Sequence, residues 1–523
     1  MRVLSMIVLM TLFGASAVLL GEPQQENWSR CKSDDPDRKI GGCSAVIQSG
    51  QETGTNLANA FRGRGSAYAH KGDYDRAFQD YDQALKLNPS DAKAFYGRGT
   101  AYWHKGDFDR AFQDYDQGLR LNPSYANGFF GRGLVYEHKG DIDYAISDYD
   151  KALRLNPSLA SAFYERGNAY ALKGNYDHAI KDYDQGLRLA PEDANGFYAR
   201  GAAYASKGNY DRAIQDYDQA LRLNSSLAGA FYDRGLAYAQ KGDYRRAIED
   251  YDHALRINPS DVEAFNSRGL AYTHEGNYDR AIQDYDQALH LAPNDANGFN
   301  GRGAAYARKG DYDRAIRDYD QALQVNSSLA GAFYDRGLAY AHKGNYDRAV
   351  QDYDQALRIN PNYVEAFDSC GLAYAHKGGV DQAIQDYNQA LRINPNYANA
   401  FIACGNAYGQ KRDCGRSIQD FDQALRLDPN SANAFYDRGL RYEYAGGYDR
   451  AILDFDQALK LTPNDPDAVY GRGRAYAQNG EYLRAMADRA HYMWLKFGTV
   501  RVILLAVMVA AVFGFISISK RFR

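Results

Sequence analysis

Small and apolar residues return along most of this chain at helical spacing, in segments too short to be one helix and too regular to be chance. In "AFYDRGLAYAHKG", residues 332–344, Phe333, Gly337 and Tyr340 share one face; in "YDRAVQDYDQALRINP", residues 346–361, Ala349, Tyr353, Ala356 and Leu357 do the same. The pattern predicts two amphipathic helices. Lys343-Gly344 ends the first, Asn345 caps the second, and Asn360-Pro361 stops it before the pattern restarts. Gly337 lies inside a helix, where glycine costs about 1 kcal/mol relative to alanine, so a close crossing of the partner helix is expected there.

The same two-helix unit recurs without an insertion. Its glycine stands at Gly65, Gly99, Gly133, Gly167, Gly201, Gly235, Gly269, Gly303, Gly337, Gly371, Gly405, Gly439 and Gly473, a step of 34 residues each time. A fixed period in this range predicts a stacked repeat array in place of several globular domains. A longer copy is superimposed on it: "NSSLAGAFYDRGLAYA" begins at Asn224 and again at Asn326, and "DANGF" at Asp193 and Asp295, a step of 102 residues. Similar surfaces are therefore presented more than once.

Phe333, Gly337, Tyr340, Ala349, Tyr353 and Pro361 stand at the spacing W-x2-LG-x2-Y, A-x3-F, P, and the chain from about residue 58 to 496 resembles the tetratricopeptide repeat family. The resemblance implies an all-α fold: a right-handed superhelical solenoid of about 13 antiparallel helix pairs, with first helices lining a concave face. Residues 35–47, "DPDRKIGGCSAVI", align with "DYDRAIQDYDQAL" and read as an orphan second helix that caps the array within an N-terminal segment 22–57.

The chain departs from the family pattern at one position, where arginine replaces the usual leucine, as at Arg64, Arg98, Arg234, Arg336 and Arg472. A charge facing a helical partner requires an opposite charge. The aspartate of the second helix, Asp352 for Arg336, recurs at the same offset and is the expected structural partner. Cys370 and Cys404 take the arginine's place in two successive units while Asp386 and Asp420 remain, so these units are expected to be the soft part of the array.

Groups that could carry chemistry are repeated rather than concentrated. No strand precedes the G-x-G pairs such as Gly301/Gly303, so no phosphate loop is implied. The aspartates of "DYDRAIQDYD" lack the glycine and glutamate of a calcium loop. His70, His104, His138, His274, His342 and His376 recur at the end of the first helix, but first helices roughly 8–10 Å apart are too distant for easy shared coordination. The expectation is a protein with no catalytic residues, no metal and no cofactor, and only short segments outside the repeats.

What remains is a surface. The family fold points the residue after the anchoring aromatic toward a ligand, and it is Tyr96, Phe130, Tyr164, Tyr198, Tyr232, Tyr334, Tyr436 and Tyr470 in eight units. Tyrosine offers contact area and a hydroxyl at small entropic cost. This ladder is expected to hold proteins or extended peptides, with packing between units as the alternative. The clamp by which some relatives hold acidic chaperone tails needs lysine here and asparagine four residues on; Tyr164 with Asn168 meets half of that.

Composition changes the picture only at the ends. With 62 basic and 66 acidic side chains in 523 residues, no charge excess draws the chain to nucleic acid. Residues 1–21 have the basic start, the apolar run Val3 to Leu20 and the Ala15-Ser16-Ala17 pattern of a signal peptide or signal anchor. Val502 to Ile518 is apolar and uncharged, roughly 26 Å long as a helix, which predicts a transmembrane helix over 499–519. Tyr492, Trp494 and Phe497 precede it as an aromatic belt, and the basic tail 520–523 predicts a cytoplasmic C-terminus. The array then lies on the exported side, most plausibly the periplasmic face of a bacterial inner membrane. Cys31 and Cys43 flank the cap and are expected to form a disulfide there. The expected function is a membrane-anchored protein-interaction scaffold; the alternative is a non-catalytic accessory subunit of an envelope enzyme or polysaccharide-export machine.

Overall fold

The structure, a computed structural model, describes residues 24–496 and 498. The expected signal segment, the transmembrane helix over 499–519 with its basic tail, and Phe497 lie outside the described residues. Among those described, no helix is long and apolar enough to cross a membrane, and every regular element is a helix.

The described chain divides after Pro259 into two compact units. The first holds a short helix at 24–31, the cap helix Pro36–Gln48, and six antiparallel pairs from Gly54–His70 with Tyr74–Leu87 to Ala228–Gln240 with Tyr244–Ile257. The second holds seven pairs, from Val262–His274 with Tyr278–Leu291 to Pro466–Gln478 with residues 482–496. The helix boundaries follow the expected punctuation. Gly344 adopts φ +76°, the left-handed conformation that ends the first helix, and the Asn345 side chain accepts from the Arg348 N–H at the start of the second.

Inside each pair the core is thin and made of alanine and one large ring. Ala349 and Ala356 are fully buried beside Tyr353. The reason for Gly337 is more specific than a helix crossing: a Cβ there would stand 2.6 Å from the Tyr353 ring and 3.3 Å from the Ala349 carbonyl oxygen. The glycine makes room for a neighbour's ring, not for its backbone alone.

The arginine joins more than one pair. Arg336 grips Asp352 of its own second helix through Nε and Nη2, at 2.8 and 2.6 Å, and its Nη1 donates at 2.6 Å to Asp320 on the second helix of the preceding pair. Its guanidinium also lies 5.4 Å from the centre of the Phe333 ring. Arg98, Arg132, Arg166, Arg200 and Arg234 in the first unit, and Arg302, Arg438 and Arg472 in the second, make the same two-sided grip. Where these arginines are present, the two aspartates of a second helix thus divide their labour, the first serving its own pair and the second the next. Burial opposes the Arg336 charge, but the two carboxylates raise its pKa above the ordinary value.

The cap is built on the same plan. Ser44 stands where later pairs carry the second aspartate and accepts from Arg64 Nη1 at 3.1 Å, while Asp80 takes the other side of the fork. Cys43 occupies the place of the core ring against Gly63 and is bonded to Cys31. Lys71 reaches back to Asp37 at 2.5 Å, as Lys105 reaches Asp75 in the next pair.

Where cysteine replaces the arginine, an acid is left over. Cys370 and Cys404 are buried, and Asp386 and Asp420 each keep a buried Oδ2 that meets no hydrogen-bonding partner. Burial pushes both carboxyls up to about 6. That lies above the value of about 3.9 in an unfolded chain, so each carboxyl binds a proton more readily folded than unfolded. The stability this lends is complete below about pH 4 and is lost as pH rises through 6. Hydrogen exchange, corrected for intrinsic rates, is expected to show residues 366–433 less protected than their neighbours at pH 7 and to narrow that gap at pH 4. Cys370→Arg is expected to restore protection around Asp386 at pH 7; equal protection of all pairs at both pH values would contradict this.

Candidate interaction surface

Seven of the eight ladder residues follow the anchoring aromatic of their first helix and Tyr470 follows Val469, but the structure sorts them into two groups. Tyr96 is buried, with 4% of its surface exposed. Its hydroxyl donates to the Asn122 carbonyl at 2.9 Å, and Tyr125 at the start of the next first helix stacks on it at 4.2 Å. This is a correction to the ladder, and its cause is local. Gly118 and Gly128 open a slot for the ring, since a Cβ at either would stand 2.6 or 2.5 Å from it. Gly186 and Gly196 do the same for Tyr164, whose ring lies 2.5 and 2.7 Å from those Cβ positions and whose buried hydroxyl meets no hydrogen-bonding partner. These two rings are glue between pairs.

The remaining rings have alanine at the positions of these glycines, except Tyr470, which has Tyr492, and they take another course. Phe130, Tyr198 and Tyr232 lean on the core rings Tyr149, Tyr217 and Tyr251 of their own pairs at 5.8 to 5.9 Å. Tyr334 and Tyr436 lie 5.9 and 5.8 Å from Tyr353 and Phe455. Tyr470, 45% exposed, is 4.9 Å from Tyr492 and is crossed by Arg474 at 5.4 Å. All but Tyr470 are half-buried. Each compact unit therefore carries three ladder rings outside such glycine slots: Phe130, Tyr198 and Tyr232 in the first, Tyr334, Tyr436 and Tyr470 in the second.

Polar groups join the rings. The Tyr198 hydroxyl donates to Asp233 Oδ2 at 2.7 Å, and Tyr397 donates to Asp368 at 3.2 Å. Burial raises the carboxyls of Asp233 and Asp368, each opposed by its tyrosine donor. Tyr363 packs on Tyr334 at 4.9 Å, as Tyr125 packs on Tyr96. The aromatic at the loop position before a first helix was not anticipated; the signal was the tyrosine of "NPSYANGF", "NPNYVEAF" and "NPNYANAF". Asn168 is already engaged, accepting from Tyr183 at 2.8 Å and donating to Glu165 at 2.9 Å, so the half-matched tail clamp has no free asparagine.

The histidines lie on the rim. His104, His342 and His376 stack on Tyr74, Tyr312 and Tyr346 of the preceding pair at 5.8, 4.9 and 4.7 Å. Among the described residues, no group of three or more His, Cys, Asp or Glu is placed to hold a metal ion.

Profiles described as tetratricopeptide repeat match residues 62–126, 96–160, 232–296 and 436–490, and a further one matches 303–369. One described as TPR repeat matches 167–208, 201–242 and 371–411. Among solved structures, the chain is similar to the APC/C hetero-tetramer Cut9-Hcn1, with 15% identity, 86% of this chain and 95% of that chain covered, and a TM-score of 0.40. MamA gives 30% identity, coverage of 32% and 96%, and a TM-score of 0.29. A tetratricopeptide repeat protein from Parabacteroides merdae gives 22% identity, coverage of 50% and 100%, and a TM-score of 0.37. No curated protein matches the chain.

The division of the ladder is testable at two hydroxyls. Tyr198→Phe leaves the half-buried Asp233 carboxylate without its donor and is expected to destabilise the first compact unit by about 1–2 kcal/mol. Tyr164→Phe removes a hydroxyl that bonds nothing and is expected to cost under about 0.5 kcal/mol. Denaturant unfolding of the two variants beside the parent chain checks both.

Proposed function

The chain belongs to the tetratricopeptide repeat family, and from that premise we propose that it is a membrane-anchored scaffold whose array holds protein partners on the exported side of a membrane. Repeats of this fold generally serve as interaction scaffolds rather than as catalysts. The observation that carries the reading is the row of rings, half-buried at Phe130, Tyr198 and Tyr232 in one unit and at Tyr334 and Tyr436 in the other, with Tyr470 exposed, where aromatic area is held in fixed positions. Fixed rings lose little entropy on binding, which favours an extended peptide or a partner helix laid across several pairs.

Anchoring rests on sequence. The uncharged run Val502 to Ile518 has the length of a bilayer core, and Lys520, Arg521 and Arg523 follow it as a cytoplasmic tail. The Cys31–Cys43 bond at the leading edge is of the kind that persists in oxidising compartments. Both point to an array outside the cytoplasm, in the periplasm of a bacterial cell.

Two experiments on the full-length chain in a bacterial host test this. A reporter active only in the cytoplasm, fused after Arg523, is expected to be active, with the array open to protease added to the periplasm; the reverse result would overturn the topology. A photo-crosslinking residue at Tyr232 is expected to capture a discrete protein that the same residue at the exposed Gln215, on a second helix, does not. Equal capture at both positions would remove the ladder face as the binding surface.

A further inference from the structure

The copied block of three repeats supplies an internal control, because the two copies differ at few positions while their neighbours stay the same. Tyr198 of the first copy corresponds, 102 residues later, to Asn300. Three parts of its surroundings are retained, Gly229 and Gly331, Asp233 and Asp335, Tyr217 and Tyr319, while Ala199 and Ser206 become Gly301 and Arg308.

In the first copy the place is full. The Tyr198 ring leans on Tyr217 at 5.9 Å, its hydroxyl donates to Asp233 at 2.7 Å, and a Cβ at Gly229 would stand 3.2 Å from that hydroxyl. In the second copy the ring is gone and nothing has moved in. A Cβ at Gly331 would meet no atom within 4 Å. The Oδ1 of Asn300 is buried and has no hydrogen-bonding partner. Among the described residues no hydrogen bond or ion pair is made by the half-buried Asp335, whose carboxyl burial pushes up to about 6, with Arg308 only partly offsetting this from a distance. The space in front of Gly331, where the first copy holds the end of the Tyr198 ring, is thus open, and the Asp335 carboxylate has no donor. The space also lies on the face that carries Tyr334.

We propose that the gap between Asn300, Gly331 and Asp335 is a subsite that takes a tyrosyl side chain from a bound partner, its hydroxyl donating to the Asp335 carboxylate as the Tyr198 hydroxyl donates to Asp233. The first copy shows that this frame closes around a phenol without strain. Asp335 supplies the acceptor, Tyr319 the ring to lean on, and Gly331 the absence of a side chain that would block entry. A neutral phenol suits the position better than a lysine ammonium, because Arg308 stands near enough to act on Asp335 electrostatically and would repel a second cation. An acceptor without a protein donor gives the subsite its selectivity: a phenylalanine would fill the space and leave Asp335 unpaired.

This rests on the reading of the array as a protein-binding scaffold, and the test separates the two. The probe is N-acetyl-tyrosinamide, followed by ligand-observed NMR with the full-length chain. It is expected to bind weakly at one site. Asn300→Tyr, which fills the gap as the first copy does, is expected to weaken that binding at least tenfold. Tyr198→Asn is expected to open a second, equivalent site in the first copy. N-acetyl-phenylalaninamide is expected to bind about tenfold more weakly than the tyrosine probe. Unchanged probe binding in Asn300→Tyr, no added site in Tyr198→Asn, or stronger binding of N-acetyl-lysinamide would each overturn the proposal. Thermal unfolding confirms that each variant folds, and the Tyr198→Asn arm does not depend on tolerance at Asn300. If the Asn300 variant loses the probe but no partner is captured at Tyr232, the scaffold reading fails and the subsite stands; if partners are captured and the probe never binds, the converse holds.

Discussion

One guanidinium in most pairs, held between carboxylates of two successive second helices, is the contact on which the array depends. Arg336 binds Asp352 with two parallel bonds and Asp320 with a third, above the Phe333 ring. The fork of arginine can meet both partners at once, and lysine's single ammonium cannot reproduce the geometry. In a core made largely of alanine, with one ring per pair, the area removed from water at each junction is modest. The charged junction supplies what such a core lacks, namely a fixed register between one pair and the next. Its partial burial makes it costly to break on one side only, because the remaining charge is then left without compensation.

Several of the substitutions in the tenth to thirteenth pairs follow this constraint. Where Cys404 replaces the arginine, the preceding second helix carries Asn388 in place of its second aspartate, so the carboxylate that would have reached across the junction is absent. At the rim, Lys411 pairs with Asp381 at 2.5 Å, while one pair later the lysine and aspartate positions hold Ala445 and Gly415. Asn479 then restores the contact, donating to Asp449 at 2.9 Å. Between pairs, Asn388 goes with Cys404 and Gly415 with Ala445, but Asp354 remains although Cys370 has replaced the arginine it would meet. Within a pair, Asp386 and Asp420 persist beside cysteines, and burial disfavours both as anions.

The helices, their limits and their pairing were legible in the sequence because each signal was local and recurred in thirteen units. The first partner of Arg336 was legible for the same reason. Its second partner was not, because Asp320 lies one repeat earlier and a single period cannot distinguish a contact within a pair from one between pairs. The ladder was legible as a row of aromatic positions but not as two kinds of ring. The cause lies on the second helix of the pair, in Gly118 and Gly186, which replace the usual alanine and let Tyr96 and Tyr164 fold inward. A side chain's course is set by the volume its neighbours leave, and that volume is distributed over three helices.

The central claim is that Arg336 couples adjacent pairs and does not merely satisfy its own. A double-mutant cycle between Arg336→Ala and Asp320→Ala, read by denaturant unfolding of the second compact unit, measures that coupling directly. The account predicts an interaction of roughly 1–3 kcal/mol across the junction, with Arg336→Ala alone costing about 3 kcal/mol or more. Additive losses, with Asp320→Ala costing under about 0.5 kcal/mol, would show the contact to Asp320 to be incidental and would place the register of the array elsewhere.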